Sequence, residues 1–308
     1  MQKNNSVSVI IAAYNAEFFL HRAIESIAQQ SLLPDEIVII NDASQDKTSE
    51  IAKSFNIDNI AINVIDIEIN AGPGNARNVG IENANNDWVV ILDADDVFLS
   101  DHIEKLLSLA SKNNANLVAP NFCFFDIIAN ERLTAGLIES DDSFLISKYD
   151  FIAKARPLNS EADYGLLKPM FNKKWLMSKN LKYPIDIRHG EDFQFVMDIM
   201  LEDAKFYIHK HVTYLYTVRS AGISKTPVDY SAMATRTLTL LQDNRVKNDS
   251  QMKKLIHERA DAIIENNVKQ NIRFYLKRKN YFALIKKFIC EYKYIVTVVK
   301  TVTKNIRS

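Results

Sequence analysis

The stretch from Val89 to Val97 reads "VVILDADDV" and places three acids within four positions, directly after four apolar residues. A short apolar run bounded in this way predicts a buried strand. In parallel α/β sheets, ligands bind outside the carboxyl ends of the strands. Asp93, Asp95 and Asp96 are therefore expected to be accessible to a ligand.

Short β-rich runs alternate with segments of helical periodicity around this strand. This alternation predicts βαβ units around a mainly parallel sheet flanked by helices. The predicted strands are 7–13, 36–41, 60–66, 88–93 and 115–120, and the predicted helices are 16–30, 46–56, 74–85 and 101–113.

The second half of the chain has a less regular pattern. Residues 122–150 show little helical period and are interpreted as a meander or an irregular insertion. Helices are predicted at 148–155, 172–179 and 190–204, β segments at 205–209 and 212–218, and helices from Tyr230 onward, the last over about 280–302.

The composition is that of an ordinary globular protein, with 308 residues of which 47% are hydrophobic and 25% charged. Cys123 and Cys290 have no spacing typical of a zinc site or a redox pair, which favours a reducing compartment. The N-terminus lacks the pattern of a secretion signal, and no segment reaches the roughly 18 uninterrupted apolar residues of a membrane span. These features predict a cytoplasmic location.

Charge is unevenly distributed, although the formal net charge is zero. Residues 269–308 hold eleven Lys and Arg against the single acid Glu291, so this tail carries +10 and the rest of the chain −10. Lys286, Lys293 and Lys300 recur every seven residues beside apolar ones, a pattern that suits an interfacial helix on an anionic membrane. A solvated basic helix packed on the protein is the alternative. No recognisable nucleic-acid module accompanies the basic residues.

The acidic motif has three possible interpretations from its residues alone. Alternating Asp residues can offer hard oxygen ligands to Mg²⁺ or Mn²⁺, but an Asp in this place can also cap the next helix. An apolar strand followed by Asp-x-Asp-x-Val also fits haloacid-dehalogenase-like phosphatases, with Asp93 as the nucleophile. In those enzymes the motif opens the domain, whereas three strand–helix units precede it here.

Those three preceding units carry polar residues where their strands end. The segments are "AAYNAEFFLHRAIESIAQQS" (12–31), "EIVIINDASQDKTSEIA" (36–52) and "NAGPGNARNVGIENA" (70–84). Helix N-termini and Gly-rich turns present backbone N–H groups to anions, although Asp, Asn and Gly also make ordinary turns.

Together, in this order and spacing, the motifs resemble those of family 2 glycosyltransferases with the GT-A fold, over roughly residues 6–220. The resemblance implies a catalytic domain over 1–225, with a nucleotide-sugar-binding half (1–121) and an acceptor-binding half (122–225), followed by a helical C-terminal region (226–308). It also implies inverting transfer from a UDP-sugar with Mn²⁺ or Mg²⁺ as cofactor. Ala12 replaces the Pro that often opens the first motif, which alone should not remove nucleotide binding.

The resemblance also assigns roles to individual residues. The nucleotide sugar would be bound by Ala12, Tyr14, Asn15, Asp42, Arg77, Asp93, Ala94 and Asp95, and by Arg219 and Ser224 in "YTVRSAGIS" (216–224). The metal would be bound by Asp95, with His209 or His211 as a further ligand, although either His could be an ordinary surface residue.

Acceptor chemistry is assigned to the second half of the chain. In "RHGEDFQF" (188–195), the resemblance makes Asp192 the general base and Glu191 an acceptor-orienting residue, whereas the local pattern alone also fits helix capping. The segment "GLLKPMFNKKWL" (165–176) resembles succinoglycan-type exopolysaccharide glucosyltransferases. Lys168 in this segment is expected either to contact the acceptor or to pack structurally.

The implied reaction transfers glucose from UDP-glucose to a saccharide, such as a polyprenyl-diphosphate-linked oligosaccharide, in bacterial surface or exopolysaccharide synthesis. The basic tail would then place the protein at the inner face of the cell membrane. Two alternatives stay open: a phosphatase that uses Asp93, and a non-catalytic protein that binds a sugar nucleotide.

Overall fold

The computed structural model describes residues 5–157, 162–218 and 230–282. The described residues fall into two compact units, one within residues 1–155 and 161–221 and the other within residues 156–160 and 222–308. Arg219, Ser224 and most of the predicted last helix lie outside the described residues.

The first unit is an α/β structure. Its described strands are β1 (Val7–Ala13), β2 (Glu36–Asp42), β3 (Ala61–Ile67), β4 (Trp88–Asp93), β5 (Val97–Phe98), β6 (Leu117–Asp126), β7 (Glu131–Ala135), β8 (Ser143–Ile146), β9 (Met170–Asn172) and β10 (Phe206–Val218). Its described helices are α1 (Leu20–Ala28), α2 (Thr48–Ser54), α3 (Pro73–Asn83), α4 (His102–Asn113), α5 (Lys148–Lys154), α6 (Lys173–Ser178) and α7 (Glu191–Met200).

The strands form one mixed sheet in the order β3-β2-β1-β4-β9-β6-β10-β5, with β7 beside β6 and β8 beside β10. Neighbours among β1 to β4 are parallel, as are β6 and β10, whereas β9 runs antiparallel between β4 and β6. The chain passes from β1 to β2 and β3 on one side and returns to β4 on the other. Ligands of α/β proteins bind at such a switch point, beyond the carboxyl ends of the strands.

The core lies where the central strands meet their helices. β1, β2 and β4 are buried almost throughout because they carry long runs of Val and Ile. α1 buries Leu20, Ala23, Ile24 and Ile27, which fall on one helical face by their spacing. Burying each large aliphatic side chain contributes about 2 kcal/mol relative to leaving it exposed.

Strand β10 differs from the sequence-based prediction of two β segments. It is continuous, with register shifts against β6 between Ile208 and Tyr214. The polar residues His209, Lys210 and His211 interrupt the apolar pattern there, which explains the predicted break. Of the two interpretations of residues 122–150, the structure favours the meander, because β6 extends to Asp126, β7 pairs with it antiparallel and β8 follows.

The second unit contains α8 (Ser231–Thr239) and α9 (Ser250–Lys277), which pack on each other. The Asp249 side chain caps α9 by accepting a 2.9 Å hydrogen bond from the Met252 N–H. α9 buries Ile256, Ala260 and Ile263 along one stripe, as its apolar periodicity predicts. None of the described helices is both long enough and apolar enough to cross a membrane.

Candidate active site

The sheet register brings three of the predicted motifs to one edge. Ala12 in β1 pairs with Ile40 in β2 and with Asp93 in β4. The residues that follow these strands therefore leave the sheet side by side at the switch point. They include Tyr14, Asn15, Ala94 and Asp95, and Asp42 is the last residue of β2.

Five charged side chains form what we term the ionic cluster: Arg77, Asp93, Lys168, Glu191 and Asp192. The Arg77 guanidinium lies 2.7 Å from Asp93 Oδ1, 2.7 Å from Glu191 Oε1 and 3.1 Å from Asp192 Oδ1. The Lys168 ammonium lies 2.7 Å from Asp93 Oδ2 and 2.6 Å from Asp192 Oδ2. Because these two oxygens share one nitrogen, they are at most about 5.3 Å apart.

The electrostatics of the cluster follow from its burial and from its charges. Burial alone would lower the pKa of Lys168, but the Asp192 and Asp93 carboxylates outweigh it and raise that pKa well above its usual value. Burial would raise the pKa of Asp93, but Lys168 and Arg77 hold it well below its usual value. The pKa of Glu191 is raised, by burial and then by the nearby Asp192 charge.

Asp192 has one carboxylate oxygen that receives no hydrogen bond from the described residues. Its Oδ1 atom is buried and, among the described residues, has no hydrogen-bond partner, although it lies near Arg77. An acceptor left unsatisfied costs free energy unless a ligand supplies a donor. Asp192 lies in the first turn of α7, directly after Gly190 and Glu191, where the helix dipole favours an anion.

A close contact between α3 and residues 183–184 fixes the position of Arg77. Asn78 donates to the Tyr183 carbonyl at 2.9 Å and accepts from the Tyr183 N–H at 2.8 Å. A Cβ at Gly74 would lie 2.3 Å from the Pro184 carbonyl oxygen, so no larger residue fits without movement of the backbone. The Tyr183 ring lies 5.3 Å from the Arg77 guanidinium. Arg77 is thereby buried, although the sequence-based prediction made it a nucleotide-sugar-binding residue.

Asp42 holds the Gly-rich turn in this structure. Its two carboxylate oxygens accept 2.9 Å hydrogen bonds from the Ala71 and Gly72 N–H groups. Gly72 has a φ of 88°, a value that a residue with a side chain rarely adopts. The nucleotide contact predicted for Asp42 therefore stays a prediction, beside a structural role that the sequence also allowed.

Tyr14 and Asn15 are exposed at the same edge. The Asn15 N–H donates to Ser44 Oγ, and Asn15 Oδ1 accepts from the Gln45 N–H, both at 2.9 Å. These bonds tie the loop after β1 to the loop after β2. The Tyr14 side chain is half-exposed and therefore available to a ligand.

Lys168 was expected to contact the acceptor or to pack structurally, and the structure places it between Asp93 and Asp192. Its side chain is only 5% exposed. The sequence did not indicate this bridging position, because Lys168 lies 24 residues before Asp192 and its segment has no acidic neighbour.

The structure does not bring His209 and His211 to the acidic motif. His211 contacts Asp101 at 3.1 Å, Glu139 at 3.7 Å and Asp141 at 3.9 Å. It precedes Thr217, which binds Asp96, by six residues of β10, or about 20 Å at roughly 3.3 Å per residue. The predicted pairing of either His with Asp95 around a metal therefore stays a prediction, and the contacts of His211 with Asp101, Glu139 and Asp141 do not support it.

Sequence reasoning missed the residues that hold the acidic motif. Arg22 in α1 donates to the Asp95 carbonyl, and Tyr214 and Thr217 in β10 bind the Asp96 side chain. These partners lie 73 to 121 residues away along the chain. No local sequence signal marks them.

Comparison with known proteins agrees with this architecture. Residues 8–161, half of the chain, match the profile described as "Glycosyl transferase family 2". The chain is 26% identical to succinoglycan biosynthesis protein ExoO of Rhizobium meliloti over 228 residues, which are 73% of this chain and 64% of ExoO. It is 28% identical to ExoU of the same organism over 260 residues, 82% of this chain and 74% of ExoU.

Solved structures share the fold at lower identity. S. aureus TarS 1–349 in complex with UDP-GlcNAc superposes with a TM-score of 0.65 at 16% identity, covering 91% of this chain and 89% of that one. The same TarS fragment in complex with UDP gives a TM-score of 0.60 at 17% identity. These matches confirm the GT-A fold predicted from the strand-end motifs. With half of its length matched by the family profile, the chain belongs to glycosyl transferase family 2.

Proposed function

We propose that the chain is an inverting glycosyltransferase that transfers a sugar, in our proposal glucose, from a UDP-sugar to a hydroxyl of a saccharide. Family membership supports sugar transfer, and TarS structures with UDP and UDP-GlcNAc support a nucleotide-sugar donor. The observation that carries the proposal is the ionic cluster. It brings Asp93, on the donor side, and Asp192, on the acceptor side, within about 5.3 Å at the switch point.

In the proposed reaction, the acceptor hydroxyl oxygen attacks the anomeric carbon of the donor sugar. The new C–O bond forms as the bond to the diphosphate breaks, and the electron pair leaves with UDP. Asp192 Oδ1 accepts the hydroxyl proton, which a positioned carboxylate can do in the transition state. Lys168 and Arg77 hold this carboxylate in place. A single displacement inverts the anomeric centre without a covalent sugar–enzyme intermediate.

A divalent cation fits this site only as part of a complex with the donor. Both oxygens of Asp93 and both oxygens of Asp96 already have protein partners. Within residues 5–157, 162–218 and 230–282, no group of three or more His, Cys, Asp or Glu could hold a metal. Mg²⁺ commonly binds one or two carboxylates and completes its shell with phosphate and water. Asp95 would supply that carboxylate, and bound Mn²⁺ or Mg²⁺ would offset charge on the departing diphosphate.

Isothermal titration calorimetry with UDP and Mn²⁺ tests donor binding. We expect the wild-type chain to bind UDP in the presence of Mn²⁺, and Asp95→Ala to weaken this binding at least about tenfold, because a charge-assisted contact of roughly 1.5–3 kcal/mol is lost. Asp58→Ala, at an exposed position before β3, is the matched control. No UDP binding by the wild type would contradict the proposal, and an unchanged Mn²⁺ titration for Asp95→Ala would remove that residue from the metal site.

Calorimetry against a panel of nucleotide sugars also separates the alternatives. A glycosyltransferase binds its donor and releases UDP during turnover, whereas a non-catalytic protein binds without turnover. The phosphatase interpretation of Asp93 predicts phosphate release without a nucleotide. Membership in family 2 leaves that interpretation without support.

For the acceptor we propose a lipid-linked oligosaccharide, with the basic tail at an anionic membrane surface. The charge of +10 on residues 269–308 supports the proposal, and each Lys or Arg near an anionic surface contributes about 1 kcal/mol. Replacing Lys286, Lys293 and Lys300 by Gln in the full chain should then reduce co-sedimentation with anionic liposomes. Phosphatidylcholine liposomes are the control, and equal binding of both chains to anionic liposomes would contradict the membrane role.

A further inference from the structure

The acidic loop, residues Asp93–Asp96, is held by a single tyrosine hydroxyl at two places. Tyr214 in β10 is fully buried, and its hydroxyl donates to Asp96 Oδ2 at 2.7 Å. The Tyr214 hydroxyl oxygen also accepts a hydrogen bond from the Asp93 N–H at 3.3 Å. One hydroxyl therefore connects the first and last residues of the loop.

Two further residues complete this support. The Thr217 N–H donates to Asp96 Oδ1 at 2.8 Å. Arg22 Nη2 donates to the Asp95 carbonyl at 2.9 Å and also to Thr217 Oγ1. The backbone of Asp95 is thus held from α1, while the Asp96 side chain is held from β10.

The Asp96 side chain is buried and binds other residues of the protein. It is 3% exposed, and both of its oxygens accept hydrogen bonds from β10. Burial of a carboxyl group next to Asp93 and Asp95 is unfavourable unless such donors compensate for it. The residue therefore serves as an anchor and is not placed to contact a ligand.

The Tyr214 side chain is packed among other aromatic rings. Its ring packs 5.8 Å from the Phe98 ring in an edge-on arrangement and 4.9 Å from the Tyr216 ring. A buried ring packed in this way limits the directions that its hydroxyl can take. A fixed hydroxyl can impose one geometry on the loop, as precise binding sites require from their supporting residues.

We propose that Tyr214 is a positioning residue for donor binding, which acts through Asp96 and the Asp93 backbone while Arg22 holds Asp95. The inference rests on the proposed function, because it concerns the geometry that the acidic loop presents to a nucleoside diphosphate and its cation. Tyr214 itself does not contact the donor. Removing the Tyr214 hydroxyl changes the affinity of the acidic loop for the nucleoside diphosphate and its cation.

The test is Tyr214→Phe, which removes only the hydroxyl and keeps the packed ring. Calorimetry measures UDP binding with Mn²⁺ and, separately, in EDTA. We expect UDP affinity with Mn²⁺ to fall about fivefold to tenfold, because binding must then order a loop that has lost a supporting hydrogen bond, and affinity in EDTA to change less. Tyr207→Phe, near the other end of the same strand, is the matched control and should bind UDP like the wild type.

The outcomes separate the two proposals. A wild-type chain that does not bind UDP contradicts the proposed function. The positioning role is overturned if the wild type binds UDP and folded Tyr214→Phe binds it with the same dissociation constant but has a lower melting temperature. A role in stability alone would give that result.

A second pair of variants covers the case in which Tyr214→Phe fails to fold. Arg22 is only half-buried, so Arg22→Ala and Arg22→Gln should be tolerated. We expect Arg22→Ala to weaken UDP binding with Mn²⁺ about fivefold, and Arg22→Gln, which keeps an N–H donor, to restore part of it. Unchanged binding by folded Arg22→Ala would overturn the proposal.

Discussion

Asp192→Asn is expected to lower the rate of sugar transfer at least about a hundredfold, the lower range of general base catalysis. The amide has the shape of the carboxylate but cannot take up the proton from the hydroxyl group of the acceptor saccharide. UDP binding with Mn²⁺ should be nearly unchanged, because Lys168 and Arg77 keep their contacts with Asp93. Transfer is measured as UDP release from the nucleotide sugar that calorimetry selects.

The control for this substitution lies on the same helix. Asp198→Asn makes the same chemical change in α7, at a side chain that accepts from Gln194 and lies outside the ionic cluster. It should keep wild-type activity. If Asp192→Asn remained fully active while it bound UDP normally, Asp192 would not be the base.

Lys168→Met is expected to lower the free energy of unfolding at pH 7 by about 3–5 kcal/mol, the cost of removing one partner from a buried ion pair. Methionine fills a similar volume, so the loss comes from the carboxylates of Asp93 and Asp192, which keep their burial and lose a cation. Urea unfolding measures the change. Lys182→Met breaks an exposed pair with Glu82 and should cost less than about 1 kcal/mol.

The effect of Lys168→Met on the free energy of unfolding should depend on pH. The folded-state pKa of Asp93 lies below its value in the unfolded chain, with Lys168 as the largest favourable cause. This carboxylate therefore stabilises the fold above its unfolded pKa of about 3.9 and loses that contribution as the pH falls toward the folded-state value. The difference between wild type and Lys168→Met should be largest near neutral pH and should shrink below about pH 4. A difference that stays constant with pH would contradict the assigned role of Lys168.

The strand-end motifs could be predicted because they depend on local pattern and on a general property of parallel sheets. An apolar run that ends in polar residues defines both the strand and the edge at which it ends. Once β1, β2 and β4 are parallel and adjacent, Ala12, Asp42 and Asp93 must lie at one edge. No long-range information is needed for that part of the site.

The partners within the site could not be predicted in the same way. Arg77 was expected to bind the nucleotide sugar, but residues 183–184 cover α3 and bury it. Which cation meets which carboxylate depends on how segments some hundred residues apart pack together. The sequence around Arg77 does not predict its contact with Glu191. The sequence around Asp96 does not predict its contact with Tyr214.

The contact between Gly74 and the Pro184 carbonyl has a consequence for recombination between relatives. A side chain at position 74 fits only if the 183–184 segment of the same chain lies farther from α3. A substitution at Gly74 can therefore be accepted only if the backbone at Pro184 moves away. A chimera that joins the first half of one family member to the second half of another should fold best when both places come from the same parent.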